Sequence, residues 1–241
     1  ARRSLCSATN RRALEMAGSS VTAFELIGQR PLAFLAKHRP DIAIPLPIDG
    51  PWYVMMEISS GRSADDARRL AEDILASALE DGFVDDAVVA QNIAQGQGFW
   101  FIREVLPETQ APEGASIKHD ISVPVSSIPA FIPQAEAAVF SVSPRARIVC
   151  FGHMGDGNLH YNITRPVDMD DAAFLDLYKP MHHAVHDVVR SLNGSISAEH
   201  GIGQLKRDEL LETAPPLGID LMRRVKAAFD PAGIMNPGKL I

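Results

Sequence analysis

Two cysteines in 241 residues, Cys6 and Cys150, are too few and too far apart for a disulfide scaffold or a cysteine-based metal site, and Cys150 lies inside an apolar stretch. A reducing compartment is expected, the cytoplasm if the source is bacterial. Cations are scarce as well: 23 Lys and Arg stand against 30 Asp and Glu, a net charge of −7 that opposes nucleic acid and anionic membranes. An anionic substrate must therefore be met by local cations. No apolar run reaches the ~20 residues that span a bilayer, and no signal-peptide core is visible, so no transmembrane segment is expected and the chain reads as soluble. Gly96-Gln97-Gly98 and Gly201-Ile202-Gly203 lack the spacing and the lysine of phosphate-binding loops, and there is no Gly-x-Ser-x-Gly elbow. Nucleotide binding by this chain alone is unsupported. His182 and His186 stand at a metal-compatible i, i+4 spacing, but no glutamate completes a His-Glu-x-x-His pattern, so together with His183 they read as surface or packing residues.

What is present is enough apolar content, 46%, to bury a substantial core in one large domain or two small ones. A strand is expected over 51–60, then a helix opened by Ser63 whose stripe of Ala67, Leu70, Ala71, Ile74, Leu75 and Ala78 is closed by Gly82. A strand over 84–90 and a helix over 92–104 follow, then a Pro- and Gly-containing loop at 107–114. From 116 onward the order is strand 116–123, helix 126–140, strands 145–153 and 158–164, helix 169–191 and strand 194–198. This β-α-β-β-α-β order predicts an α+β fold of ferredoxin-like type, a split β-α-β antiparallel sheet with both helices on one face and the other face open to a site or a partner. The upstream strand–helix–strand series admits a duplicated unit, although no residue-level repeat supports one. The ferredoxin-like core spans about 116–198. A helical segment of about 199–241, with helices near 203–212 and 218–229, ends in an extended tail. The first residue is Ala1, which suggests a processed chain or a piece of a longer one.

Within that core, Phe151–Asn162 reads as a hairpin that brings two histidines together. With Asp156-Gly157 as a type I′ turn, residues 155:158, 154:159 and 153:160 face each other, and His153 stands opposite His160 at roughly 5 Å between Cβ atoms. Alternation puts Asn162 and Phe151 on the same face, and Ile148, Cys150, Leu159, Tyr161 and Ile163 on a buried one. Two imidazoles make half a tetrahedral metal shell. A carboxylate must come from elsewhere, and Glu199, in the glycine-flanked turn Ser197-Ala198-Glu199-His200-Gly201-Ile202-Gly203, is the best candidate. Such a set leaves positions open for a substrate oxygen. Arg103 and Lys118 end apolar elements and want an anion, which is either a substrate or a neighbour such as Glu104 or Asp120.

Taken together, FGHMGDGNLHYN, ISAEHGIG, IREVLPETQ, ASIKHDISVP and AFDPAGIMNPGKL resemble the C-terminal domain of FAD-linked oxidases, over nearly the whole chain. That family includes D-2-hydroxyglutarate dehydrogenase, D-lactate dehydrogenase and the glycolate oxidase flavin subunit, with the vanillyl-alcohol-oxidase type of fold. The resemblance implies FAD held mainly by an N-terminal domain that is not in this sequence. It also implies a divalent metal, commonly zinc, on His153, His160 and Glu199, and oxidation of a D-2-hydroxy acid to the 2-oxo acid by hydride transfer to the flavin. By the same resemblance His200 is the catalytic base, Arg103 binds the substrate carboxylate, Asn162 hydrogen-bonds it, and Lys118 meets a second carboxylate. Asn236 in the NPGK tail approaches the flavin. Pro107 departs from the pattern, since it stands where hydroxyglutarate-type members carry a hydroxyl side chain. Lys118 favours a dicarboxylic substrate and Pro107 leaves D-lactate or a longer analogue open. The implied partners are the small 2-hydroxy acid, the chain's own FAD domain and an electron acceptor that no motif identifies, with room for a homo-oligomer. The competing account is a flavin-independent metal-binding or metallohydrolase module.

Overall fold

The computed structural model describes residues 2–241. They fall into two compact units, one running to Ile196 and the other spanning Ser197–Ile241. The first is built on a six-stranded sheet, antiparallel throughout, in the order β2-β1-β5-β6-β3 with β4 also on β6. Its strands are β1 (Val21–Gly28), β2 (Trp52–Ile58), β3 (Ser116–Ile117), β4 (Asp120–Ser122), β5 (Arg147–His153) and β6 (Asn158–Thr164). Its helices are α1 (Arg2–Ala17), α2 (Gln29–His38), α3 (Ala64–Glu80), α4 (Ile93–Val105), α5 (Ile128–Val142), α6 (Asp171–Leu175) and α7 (Tyr178–Ser191).

Local chemistry sets most of these ends. The Ser63 hydroxyl accepts from the Asp66 amide at 3.1 Å to open α3, and Gly82 at φ 68° closes it while the Phe83 amide reaches the Ala78 carbonyl. Asn92 caps α4 by accepting from the Gln95 amide at 2.9 Å. The helix expected over 169–191 is two helices, because Pro180 has no N–H for the Asp176 carbonyl and its ring crowds that group, so α7 restarts at Tyr178. The strand expected over 84–90 is irregular: it finds no ladder partner, and the Val84 amide goes back to Ala78 instead. The strand expected over 194–198 shrinks to a single bridge, Ser122 with Ser195, beside Gly194, where a Cβ would lie 2.3 Å from the Ser122 carbonyl oxygen.

α5 and α7, the helices of the split β-α-β unit, pack together on one face of the sheet, where Phe131 meets Tyr161 edge-on at 5.3 Å. The opposite face, expected to be open, is largely covered. Leu32, Phe34 and Leu35 of α2 and Ile102 and Val105 of α4 bury Val149 and Phe151 of β5. β1 and β2 widen the same sheet and do not build a second one. The stretch 107–114 is not a loose loop either, since Glu108–Glu113 forms a 3-10 helix held by Glu113, which bonds Lys37 and His38 at 2.6 Å each and pairs with Arg147. Val125–Val142 does pass as a membrane span by length and mean hydropathy, 1.2, against expectation. Within the unit, however, its Ile128, Phe131, Ile132, Ala135 and Val139 are buried in the core.

The second unit holds α8 (Arg207–Thr213) and α9 (Pro216–Phe229). Its tail is turned, not extended. Asp230 accepts from the amides of Ile234 and Met235 at 2.9 and 3.0 Å, and the Leu240 amide reaches the Gly203 carbonyl at 2.8 Å.

Candidate metal and substrate site

The histidine hairpin forms, in a register that differs from the expected one by two residues. Phe151 faces His160 and Val149 faces Asn162, with Met154–Gly157 as a four-residue connection. A type I′ turn needs positive φ at both central residues, and Asp156 does not have it, whereas Gly157 does at 86°. Instead the Asp156 carboxylate accepts from the Asn158 amide at 3.0 Å, a local turn that Asp favours, and the longer connection lets Met154 be fully buried. A slip of one residue would have turned every side chain over; a slip of two preserves the faces. His153 and His160 therefore still share a face with Phe151 and Asn162, as diagonal neighbours.

Each histidine has a carboxylate across the ladder. β1 places Glu25 opposite His153, and β4 places Asp120 opposite His160. Glu25 Oε1 lies 2.5 Å from His153 Nδ1 and its Oε2 accepts from Arg103 Nε at 2.6 Å. With Nδ1 facing an acceptor, a neutral His153 carries its N–H there and its lone pair on Nε2. The Arg103 guanidinium also lies 4.8 Å over the Phe151 ring, whose other neighbour is the His160 imidazole at 5.1 Å. A carboxylate oxygen of Asp120 and a ring nitrogen of His160 are within 4.8 Å of each other.

Arg103 finds its ion-pair partner in Glu25 rather than in the expected neighbours Glu104 or Asp120, and both partners are buried. Sequence reasoning missed Glu25. Its signal is a lone acid in the otherwise apolar run of β1, since a buried carboxylate must find a cation or a donor. Asn162 is buried and engaged on both sides: its Oδ1 accepts from the His119 amide at 3.3 Å and its Nδ2 donates to Gln110 at 3.1 Å. Lys118 is exposed, and strand alternation puts it on the same face as Asp120 and His160. The first unit thus brings His153, His160, Arg103, Lys118 and Asn162 to one face of the sheet. Glu199 and His200 are exposed residues of the second unit, ahead of Gly201 at φ 73°, and Asn236 is exposed there in a left-handed conformation at φ 47°.

Residues 5–240 match the family model described as FAD linked oxidases, C-terminal domain. The chain belongs to that family. Relatives of this FAD-oxidase C-terminal domain include the D-2-hydroxyglutarate dehydrogenase of Stutzerimonas stutzeri, 41% identical over 223 residues, which covers 91% of this chain and 47% of the relative. The mitochondrial D-2-hydroxyglutarate dehydrogenase of Arabidopsis thaliana is 33% identical over 224 residues, covering 93% and 38% respectively. The crystal structure of p-cresol methylhydroxylase with substrate bound shares the fold of the domain, with a TM-score of 0.61 at 13% identity over 99% of this chain and 50% of that one. The chain spans about half or less of the length of these proteins. Family membership ties it to FAD.

Proposed function

We propose that this chain is the substrate- and metal-binding part of a FAD-dependent dehydrogenase that oxidises a D-2-hydroxy acid to its 2-oxo acid, with D-2-hydroxyglutarate as the first substrate to test. The observation that carries the reading is Glu25, a buried carboxylate that reaches a histidine with one oxygen and an arginine with the other. It aims two groups that a hydroxy-acid site needs. The donor chemistry of His153 and His160, each faced by a carboxylate, suits a divalent cation such as zinc, with Glu199 as the third donor. When bound, such a cation polarises the substrate hydroxyl, and the flavin accepts the hydride.

The chain's own residues would do the rest. Arg103 has Nε committed to Glu25, so its terminal nitrogens are the ones to meet the C1 carboxylate. Lys118 would meet a distal carboxylate, where Pro107 contributes no donor. Asn162 would hold the carboxylate end through an amide already fixed by Gln110 and His119, and Asn236 is assigned to the flavin side. His200 would take the hydroxyl proton as the C2 hydrogen leaves with its electron pair, forming the C=O bond. The naming of relatives as D-2-hydroxyglutarate dehydrogenases at 33–41% identity supports this reading.

The test is anaerobic mixing of the flavin-loaded protein with D-2-hydroxyglutarate or D-lactate while oxidised-flavin absorbance is followed. Rapid bleaching by D-2-hydroxyglutarate is expected, with Glu199→Ala slower by at least ~100-fold, in line with the loss of an electrostatic catalyst. Normal bleaching by both His153→Ala and Glu199→Ala would remove the metal from the reaction. No bleaching by either acid would remove the activity.

A further inference from the structure

The opposite face of the same sheet holds a second group of donors. The segment joining β3 to β4 continues the strand alternation, so Lys118 and Asp120 point to the α2/α4 side and His119 between them points to the α5/α7 side. There it meets His182 and His186, which α7 presents one turn apart. The ring of His119 lies 4.3 Å from that of His182 and 5.3 Å from that of His186, and the latter two are 5.0 Å apart. His119 and His186 are fully buried and His182 is 7% exposed. One ring nitrogen from each of the three lies within 4.8 Å of the other two.

We propose that His119, His182 and His186 bind a transition-metal dication, zinc in the first instance, at a second site on the far side of the sheet from His153. Three features carry it. Donor type is the first: three imidazoles and no carboxylate suit zinc, cobalt or nickel and discriminate against magnesium and calcium. Spacing is the second, because i, i+4 histidines on one helix face reach a common ion, the geometry zinc-binding helices use. Orientation is the third. His119 Nδ1 is 3.0 Å from the Tyr161 carbonyl oxygen, which fixes that nitrogen as the donor and leaves Nε2 to ligate, the backing that ligating histidines usually have. Two nitrogens on a tetrahedral ion at about 2.1 Å are roughly 3.4 Å apart, so from separations within 4.8 Å the rings need to close in by at most about 1.4 Å, within the reach of small χ rotations. An ion here would clamp α7 to the segment joining β3 and β4, next to Asp120. Its role is structural and independent of the proposed dehydrogenase site.

The decisive protein is the flavin-loaded His153→Ala/His160→Ala double variant, which lacks the imidazoles of the first site. After chelator treatment it is titrated with cobalt and, separately, zinc. About one cobalt per chain is expected, with a visible d–d band and a melting temperature raised by zinc; no retained cobalt and no zinc-dependent rise would overturn the proposal. Adding His182→Asn should weaken cobalt by at least ~100-fold, more than losing a backing group does, while the metal-free melting temperature moves little. Undiminished affinity would place the ion elsewhere and overturn it. If His182→Asn does not fold, X-ray absorption of the zinc-loaded double variant decides: a shell of three imidazoles at about 2.0 Å supports the site, and a carboxylate or sulfur shell overturns it.

Discussion

On the α2/α4 face of the sheet, Glu25 reaches both His153 and Arg103 and Asp120 stands opposite His160, whereas on the α5/α7 face His119, His182 and His186 gather against one another among apolar side chains. Strands β4, β5 and β6 serve both faces by the same alternation. The difference lies in what packs above them. α4 and β1 bring charges of both signs, so on one face a single carboxylate, Glu25, holds both the His153 imidazole and the Arg103 guanidinium. α7 brings His182 and His186 into a layer of apolar side chains, which suits an ion held for cohesion. A polar group buried in a core is tolerable when its partner is built in, and the two faces use different partners.

The strongest way to break this comparison is Glu25→Ala. It leaves Arg103 buried without its carboxylate, and a loss of roughly 3–5 kcal/mol in urea unfolding is expected. Metal affinity at His153 and His160 should fall about 10- to 100-fold; undiminished affinity would mean that His153 needs no carboxylate to orient it. Gly157→Ala comes next. At φ 86°, with a Cβ 2.1 Å from the Val123 carbonyl oxygen, the alanine variant should lose at least about 1–3 kcal/mol by thermal unfolding. An unchanged melting temperature would contradict the turn described here.

Acid separates the faces further. Burial pushes the Glu113 carboxyl up, but Lys37, His38 and Arg147 more than reverse this and hold it at about 2 against an ordinary 4.5. Its stabilisation is complete above pH 4.5 and is lost as pH falls through about 2. Hydrogen exchange should therefore show α2 and the Glu108–Glu113 turn loosening on acidification ahead of α5, and Glu113→Gln should flatten that dependence. The smallest expected effect is Ile163→Val on the α5/α7 face, about 0.5–1.5 kcal/mol. Metal binding at His153 should be untouched, and a shift in it would show that the two faces are coupled.

Much of the fold was legible wherever a signal repeats locally. The stripe of α3 and its Ser63 cap, the β-α-β-β-α order and the sharing of a face by His153, His160 and Asn162 all follow from periods of 3.6 or 2. Ends and partners were harder. Asp-Gly reads as a two-residue turn until the burial of Met154 and the conformation of Asp156 are known, and residues 84–90 and 194–198 have strand-like composition but little or no edge to pair with. The sequence left His182 and His186 as surface or packing residues; both are buried, and His119 as their companion did not show, because it lies 63 residues before His182 in the chain.

The sequence by itself determined which side chains share a face, since alternation along a strand and the pitch of a helix are properties of neighbouring residues. Only the tertiary structure decided what those faces meet. Glu25 reaches His153 across 128 positions of chain through a strand ladder, and no local rule selects that strand from the others. Pairing of that kind is settled by burial over the whole unit, where a carboxylate in an apolar strand is stable only beside the arginine and histidine that other elements carry to it.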